Sequence, residues 1–108
     1  MQRGEIWWAE LPAPVGRRPV LILSRDRAIQ VRSHVTVAQI TRTIRDIPVE
    51  IALGSEEGLS KKCVVNLDVI NTIPKSLLKG RISLLPSDKM AAVEEAIRLN
   101  EKGIATEV

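Results

Sequence analysis

The chain of 108 residues has no phenylalanine, no tyrosine, one cysteine and one histidine. A lone cysteine excludes an internal disulfide framework and fits a reducing compartment. One cysteine and one histidine together are too few for a Cys₄ or Cys₂His₂ zinc site, and hydrolysis by two histidines is excluded as well. No apolar run approaches the roughly 20 residues that span a bilayer, and the N-terminus has no signal-peptide pattern. We therefore expect a cytoplasmic protein with no membrane partner.

Four carboxylates, Asp26, Asp46, Glu50 and Asp68, are scattered singly along the chain. No pair has the spacing of metal ligands, so the sequence predicts no metal site, no cofactor and no metal-dependent nuclease. Cys63 lies inside a strand pattern, where a free cysteine is usually a small buried hydrophobe. His34 follows Ser33 in a predicted loop and is expected to face solvent. A Cys–His nucleophilic pair is therefore not predicted.

Positive charge is in modest excess, with a formal net charge of +3 and a pI near 9.4. The cations occur in local pairs (Arg17 and Arg18, Arg25 and Arg27, Arg42 and Arg45, Lys61 and Lys62). Such clusters suit a polyanionic partner without requiring one.

The hydrophobic pattern indicates strands over most of the chain. The most apolar run follows Arg18 and reads as a buried strand over residues 19–24, with Pro19 at its first position, where no ladder bond is lost. Further strands are predicted over residues 4–11, 35–41, 49–53, 63–70 and 81–85, with a loop over 25–33 and a helical turn over 75–79 closed by Gly80. Met90, Val93 and Ile97 recur on one face of a helix predicted to run from Pro86 to about Glu101.

This order of elements predicts the fold class. Short strands followed by one terminal amphipathic helix are typical of a small, partly open antiparallel barrel that the helix covers. We expect residues 1–108 to form one mainly β domain with a C-terminal α-helix. Of Trp7 and Trp8, which point to opposite faces if the first strand alternates, one should be in the core and the other free for a partner.

An arginine and a threonine are the residues best placed for chemistry. Arg18 begins the second strand and Thr41 ends the third, and adjacent strands of a meander bring those two ends together. The guanidinium fork donates two hydrogen bonds to phosphate oxygens and stays charged, and a threonine hydroxyl can bind a nonbridging oxygen. Such a pair can stabilise a pentacoordinate phosphorane without a metal. The alternative interpretation, in which both arginines are solvated loop residues, is about equally compatible with the pattern alone.

Several segments resemble the MazF/PemK toxin family, in the family's order along nearly the whole chain. They are Arg3–Leu11 (RGEIWWAEL), Gly16–Ser24 (GRRPVLILS), Ala38–Thr43 (AQITRT), Glu57–Leu59 (EGL), Val64–Asp68 (VVNLD) and Pro74–Leu77 (PKSL). The family's catalytic arginine directly precedes a proline and falls on Arg18. Its catalytic threonine follows an isoleucine in the third strand and falls on Thr41.

The resemblance implies an SH3-like barrel, a homodimer and an endoribonuclease that cuts single-stranded RNA at short sequences without metal. Cleavage would leave a 2′,3′-cyclic phosphate and a 5′-hydroxyl. It also implies a small MazE-like antitoxin whose acidic tail occupies the RNA groove. The candidate RNA contacts are Gly16, Arg17, Arg42, Thr43 and Arg45, although a solvated surface explains Arg17, Arg42 and Arg45 nearly as well.

Two stretches depart from the family pattern. The loop Pro12–Gly16 is short and rich in proline where many members carry a longer gate, and Val69 and Asn71 stand where many have glutamine and then a cation. A second function class uses the same barrel as a non-catalytic inhibitor of a protein target such as DNA gyrase. That mode depends on the C-terminal segment, where residues 105–108 offer no large side chain to insert into a partner.

Overall fold

A computed structural model gives the fold over residues 1–107, with side chains described for residues 1–99. Six strands precede a long helix, with one short helix and two 3₁₀ turns between them. The strands are β1 (Glu5–Glu10), β2 (Arg17–Ile22), β3 (His34–Thr41), β4 (Glu50–Leu53), β5 (Cys63–Pro74) and β6 (Leu78–Leu84). The helices are α1 (Asp26–Val31) and α2 (Ser87–Glu107), and the 3₁₀ turns are Ser55–Glu57 and Lys75–Leu77.

The strands form one antiparallel sheet in the order β4-β5-β3-β2-β1-β6. One face of the sheet packs against α2 through a core that includes Leu21, Ile40 and Val93. The other face carries a second core, which includes Val20 and Val37 and is covered by Ile29 of α1. The predicted small antiparallel barrel with a covering helix is confirmed.

The second strand is buried on both faces, as its apolar run predicts. Val20, Leu21 and Ile22 are all 0% exposed. The strand nevertheless begins at Arg17, so Pro19 lies inside it opposite Trp8 of β1, and the predicted position of the proline was wrong. The register with β3 begins only at Val20, so the missing N–H of Pro19 removes no bond on that side.

Three local predictions were wrong, two of them in segments where a tertiary contact overrides local preference. The predicted loop over 25–33 contains α1, whose one buried side chain, Ile29, anchors it to the sheet. The predicted turn over 75–79 shortens to a 3₁₀ turn, and Gly80 lies in β6, opposite Trp8. The long helix continues past Gly103 to Glu107.

The loop between β4 and β5 is attached to the sheet and to α2 by one buried residue, Glu57. Glu57 Oε1 accepts from the backbone N–H of Gly54 (2.7 Å), and Glu57 Oε2 lies 3.1 Å from Nζ of Lys89. Its backbone oxygen accepts from the Ser83 hydroxyl at 2.6 Å. Gly58 then turns the chain at φ 79°, and a Cβ there would lie 3.2 Å from Ile82. These contacts fix the loop beside the ends of β2 and β3.

No helix within the described residues is both long and apolar enough to cross a membrane.

A second buried carboxylate fastens the start of β1 to β6. Glu5 is 6% exposed and accepts hydrogen bonds from the Arg81 guanidinium, the Trp7 indole and the backbone of Gln2. Burial raises the pKa of this carboxyl, but the hydrogen bonds outweigh burial and leave the pKa below 4.5. The folded state therefore favours the carboxylate.

Replacing Glu5 by glutamine tests this linkage. Because the pKa is lower in the folded state, the contribution of Glu5 to the free energy of unfolding is complete above pH 4.5 and is lost as pH falls through the folded value. We expect Glu5→Gln to lower the free energy of unfolding at pH 7 by about 1–3 kcal/mol and to flatten its fall in acid. Urea unfolding between pH 3 and pH 7 measures both effects.

Glu95→Gln is the matched control, because Glu95 pairs with Arg98 at the surface with its side chain 57% exposed. Loss of that pair should change the free energy of unfolding by no more than about 0.5 kcal/mol. An acid limb in Glu5→Gln as steep as that of the natural chain would contradict the prediction.

Candidate active site

A groove of about 410 Å³ opens at the end of the sheet where β2 begins and β3 ends. The loop between β4 and β5 forms its other wall. The lining residues are Trp8, Arg17, Arg18, Pro19, Ile40, Thr41, Arg42, Gly58, Leu59, Ser60, Lys61 and Cys63. Both residues that the sequence selected for chemistry, Arg18 and Thr41, therefore line one groove.

Strand register explains why Arg18 and Thr41 lie together. The β2–β3 ladder ends at the pair Val20–Gln39, and Arg18 and Thr41 each lie two residues beyond that pair, at the same end of the two strands. Alternate residues of a strand share a face of the sheet, so both lie on the face of that pair. Arg18 is half-buried, and its Nη1 donates to Oε1 of Gln39 at 3.1 Å. Thr41 is also half-buried, and its Oγ1 accepts from the backbone N–H of Thr43 at 3.2 Å.

Arg17 and Trp8 form a stacked pair at the groove. The Arg17 guanidinium lies 4.5 Å from the centre of the Trp8 ring, within the range of a cation–π interaction. Trp7 has the other role, since it packs against the second core and donates through Nε1 to Glu5. One tryptophan thus serves the core and the other a functional surface, as the alternation predicts.

The groove is positively charged. Four cations line it, namely Arg17, Arg18, Arg42 and Lys61, and no carboxylate does so among the side chains that the structure describes. None of these four is ion-paired within that part of the chain. The uncompensated charge favours an anionic ligand.

Three other residues predicted to contact RNA lie outside this groove. Arg45 lies near Glu50 (3.2 Å) and Asp68 (4.0 Å), so its charge is largely compensated. Gly16 turns the chain into β2 at φ 67°, and Thr43 binds Thr41 through its backbone.

Glu50 organises the loop that follows Thr41. Its carboxylate accepts from the backbone N–H groups of Arg45 and Asp46 and from the Arg45 side chain. Burial raises the pKa of the Glu50 carboxyl, but these hydrogen bonds outweigh burial and lower it below 4.5. Arg45 thus helps to shape the loop after β3.

Cys63 lines the groove but is poorly suited to act as a nucleophile. It is 5% exposed, and its Sγ lies 3.9 Å from the carbonyl oxygen of Leu53. Burial, and then the nearby Glu57 carboxylate, raise the pKa of the thiol above 9.0, so the reactive thiolate is disfavoured. His34, exposed at the start of β3, does not line the groove.

No group of three or more histidine, cysteine, aspartate or glutamate residues is placed to hold a metal ion within the described part of the chain.

The structure adds two residues that the sequence did not single out, one in the groove and one that contacts a groove residue. Lys61 joins the groove because the loop after β4 is held against the end of the sheet. Gln39 contacts the candidate catalytic arginine directly. Its position two residues before Thr41 was a usable signal, because alternate residues of a strand share a face.

Comparison with known proteins supports the family resemblance. The model of the PemK-like, MazF-like toxins of type II toxin–antitoxin systems matches residues 2–100. A curated relative, the probable endoribonuclease MazF5 of Mycobacterium tuberculosis (strain ATCC 25618 / H37Rv), is 38% identical over 98 residues, which cover 90% of this chain and 89% of the relative.

Solved structures agree with the sequence relatives. The Mycobacterium tuberculosis toxin MazF-mt6 superposes with a TM-score of 0.80 at 36% identity, covering 86% of this chain and 91% of that one. An endoribonuclease in complex with its cognate antitoxin, from a mycobacterial species, superposes with a TM-score of 0.78 at 26% identity over 90% of both chains. With the fold, the groove and these matches in agreement, this chain belongs to the PemK/MazF family of type II toxins.

Proposed function

We propose that this protein is a metal-independent, sequence-specific endoribonuclease that cuts single-stranded RNA and is the toxin of a toxin–antitoxin pair. The observation that carries the proposal is the groove that Arg18 and Thr41 line together, among further cations. The curated relatives are named endoribonucleases, which supports RNA as the substrate. Cleavage of RNA in the cytoplasm would inhibit translation and growth.

The chemistry requires only groups that the groove and the substrate supply. The 2′-hydroxyl oxygen of a nucleotide attacks the adjacent phosphorus, the bond to the 5′-oxygen breaks, and a 2′,3′-cyclic phosphate and a 5′-hydroxyl result. The proton lost from the 2′-oxygen is balanced by the one gained at the 5′-oxygen. In the pentacoordinate state the nonbridging oxygens carry added negative charge, which the Arg18 guanidinium stabilises by charge-assisted hydrogen bonds.

Thr41 is suited to orient the phosphate. Because its Oγ1 accepts a hydrogen bond from the Thr43 N–H, the hydroxyl proton remains free to donate to a nonbridging oxygen. Arg17, Arg42 and Lys61 extend the positive surface around this point and would follow the RNA backbone, which adds affinity without sequence information.

The same charge accounts for the proposed antitoxin partner. A groove with four cations would bind the acidic tail of a MazE-like antitoxin and exclude RNA. The solved relative in complex with its cognate antitoxin supports such a partner. We further propose that residues 1–108 act as one toxin domain and assemble as a homodimer.

The deciding experiment is incubation of the purified protein with several long single-stranded RNAs in EDTA, followed by analysis of the fragment ends. Discrete cuts with cyclic phosphate ends support the proposal. No cuts in any RNA would favour the inhibitor of a protein target, and topoisomerase binding would then be measured. That alternative depends on residues 105–108, whose side chains lie outside the described part of the chain.

Arg18→Ala should lower kcat about 10²–10³-fold, because it removes a charge that acts on the transition state. The melting temperature should change little, because the hydrogen bond that is lost joins two side chains, Arg18 and Gln39, and involves no backbone group. Arg17→Ala is the matched control: it should raise KM and reduce the salt dependence with kcat nearly unchanged. Full activity in a folded Arg18→Ala protein would refute the assignment of Arg18.

Thr41→Val removes the hydroxyl and keeps the shape of the side chain nearly constant. We expect kcat to fall about 10- to 100-fold, because one hydrogen bond to a charged oxygen is lost. Single-turnover cleavage at saturating enzyme measures the change. If Thr41→Val cuts at the natural rate, the role passes to Thr43, and Thr43→Val becomes the variant to test.

A further inference from the structure

The Arg18 guanidinium is held by an uncharged acceptor. Nη1 of Arg18 donates to Oε1 of Gln39 at 3.1 Å, and Arg18 has no ion pair within the described side chains. Arg45 is held differently, by the carboxylates of Glu50 and Asp68. An amide oxygen orients a guanidinium without cancelling its charge, whereas a carboxylate does both.

Gln39 is itself held in place. It is half-buried in β3, and its Nε2 donates to Oδ1 of Asn71 on β5 at 3.4 Å. The β3–β5 register shifts at this point, since Ala38 pairs with Ile70 while Gln39 pairs with Asn66. Three strands thus contribute one side chain each to a line of contacts from Asn71 through Gln39 to Arg18.

The position of Gln39 relative to Arg18 follows from the sheet. Gln39 is opposite Val20, so it is the diagonal neighbour of Arg18, at a distance that long side chains can span. Arg18 and Thr41 both line the groove, and the described side chains give the Arg18 guanidinium no hydrogen bond other than the one to Gln39. The amide therefore binds one nitrogen of the fork and leaves the remaining donors for a ligand.

From these contacts we infer that Gln39 is a positioning residue for Arg18, which it orients toward the scissile phosphate while preserving its full positive charge. Asn71 supports the Gln39 amide from β5. This inference rests on the proposed ribonuclease function and deepens it, because it names what holds the arginine in place before RNA binds. Preorganised donors stabilise developing charge better than donors that must reorient during the reaction.

Two variants separate orientation from charge. Gln39→Leu keeps the charge of Arg18 but removes its acceptor, so kcat should fall about tenfold or more while KM changes less than twofold.

Gln39→Glu keeps an acceptor but pairs Arg18 with a carboxylate. Neutralising the Arg18 charge should lower kcat as well as raise KM, and the slope of log KM against log salt should become smaller by about one ion. Asn71→Ala should lower kcat in the same direction as Gln39→Leu, but less.

Thr36→Val is the matched control, because Thr36 Oγ1 lies 3.1 Å from Thr72 Oγ1 on the same pair of strands, away from the groove. We expect natural kcat and KM for this variant. Thermal unfolding of all four variants verifies that each is folded at the assay temperature. If Gln39→Leu is too unstable to assay, the salt slope of the polar Gln39→Glu variant decides the question.

A lower kcat with KM nearly unchanged in Gln39→Leu, beside a raised KM and a smaller salt slope in Gln39→Glu, supports the inference, since a merely structural role would not produce this difference. A natural kcat in folded Gln39→Leu overturns it, as does an equal loss in Thr36→Val or an unchanged salt slope in Gln39→Glu. Failure of the proposed function is distinguishable, because in that case the natural chain itself would not cut RNA.

Discussion

The complete burial of the second half of β2, residues 20–22, between β1 and β3 is the constraint on which the rest of this structure depends. Val20, Leu21 and Ile22 are fully removed from solvent, with one core on each face of the strand. A strand buried in this way has its register fixed, because a slip of one residue would exchange the two sets of side chains between cores of different shape. Arg17 and Arg18, which begin β2 just before this buried run, are therefore held at a defined place at the end of the sheet.

Charge is distributed so that the groove is left without a counter-ion in the described structure. The buried or half-buried carboxylates are used elsewhere: Glu5 binds Arg81, Glu50 binds Arg45, and Glu57 binds Lys89. The net charge of the chain is only +3, so it does not by itself account for the positive field of the groove. The field arises because these ion pairs lie elsewhere and leave the cations of the groove unpaired. Such a field attracts a phosphate backbone and would equally attract an acidic peptide.

Much of the site could be predicted from residues close together in sequence. The apolar run after Arg18 indicated a buried strand, the alternation before Thr41 indicated the next one, and short connections place consecutive strands side by side. The distinct roles of Trp7 and Trp8 also followed from alternation. The predictions of a loop over 25–33, of Gly80 as the end of a turn and of Pro19 as the first residue of its strand were wrong. In these segments, pairing with another strand or the burial of one side chain outweighs local preference.

The sequence by itself determined the fold class, the family and the placement of Arg18 and Thr41 at neighbouring strand ends, because these depend on hydrophobic period and on neighbouring strands. Only the tertiary structure decided that Arg45 is bound by Glu50 and Asp68, that Lys61 joins the groove, and that Gln39 orients Arg18. Each of these outcomes requires side chains from elements far apart in the chain to meet. The distances between such side chains are set by core packing and strand register, which no local sequence pattern encodes.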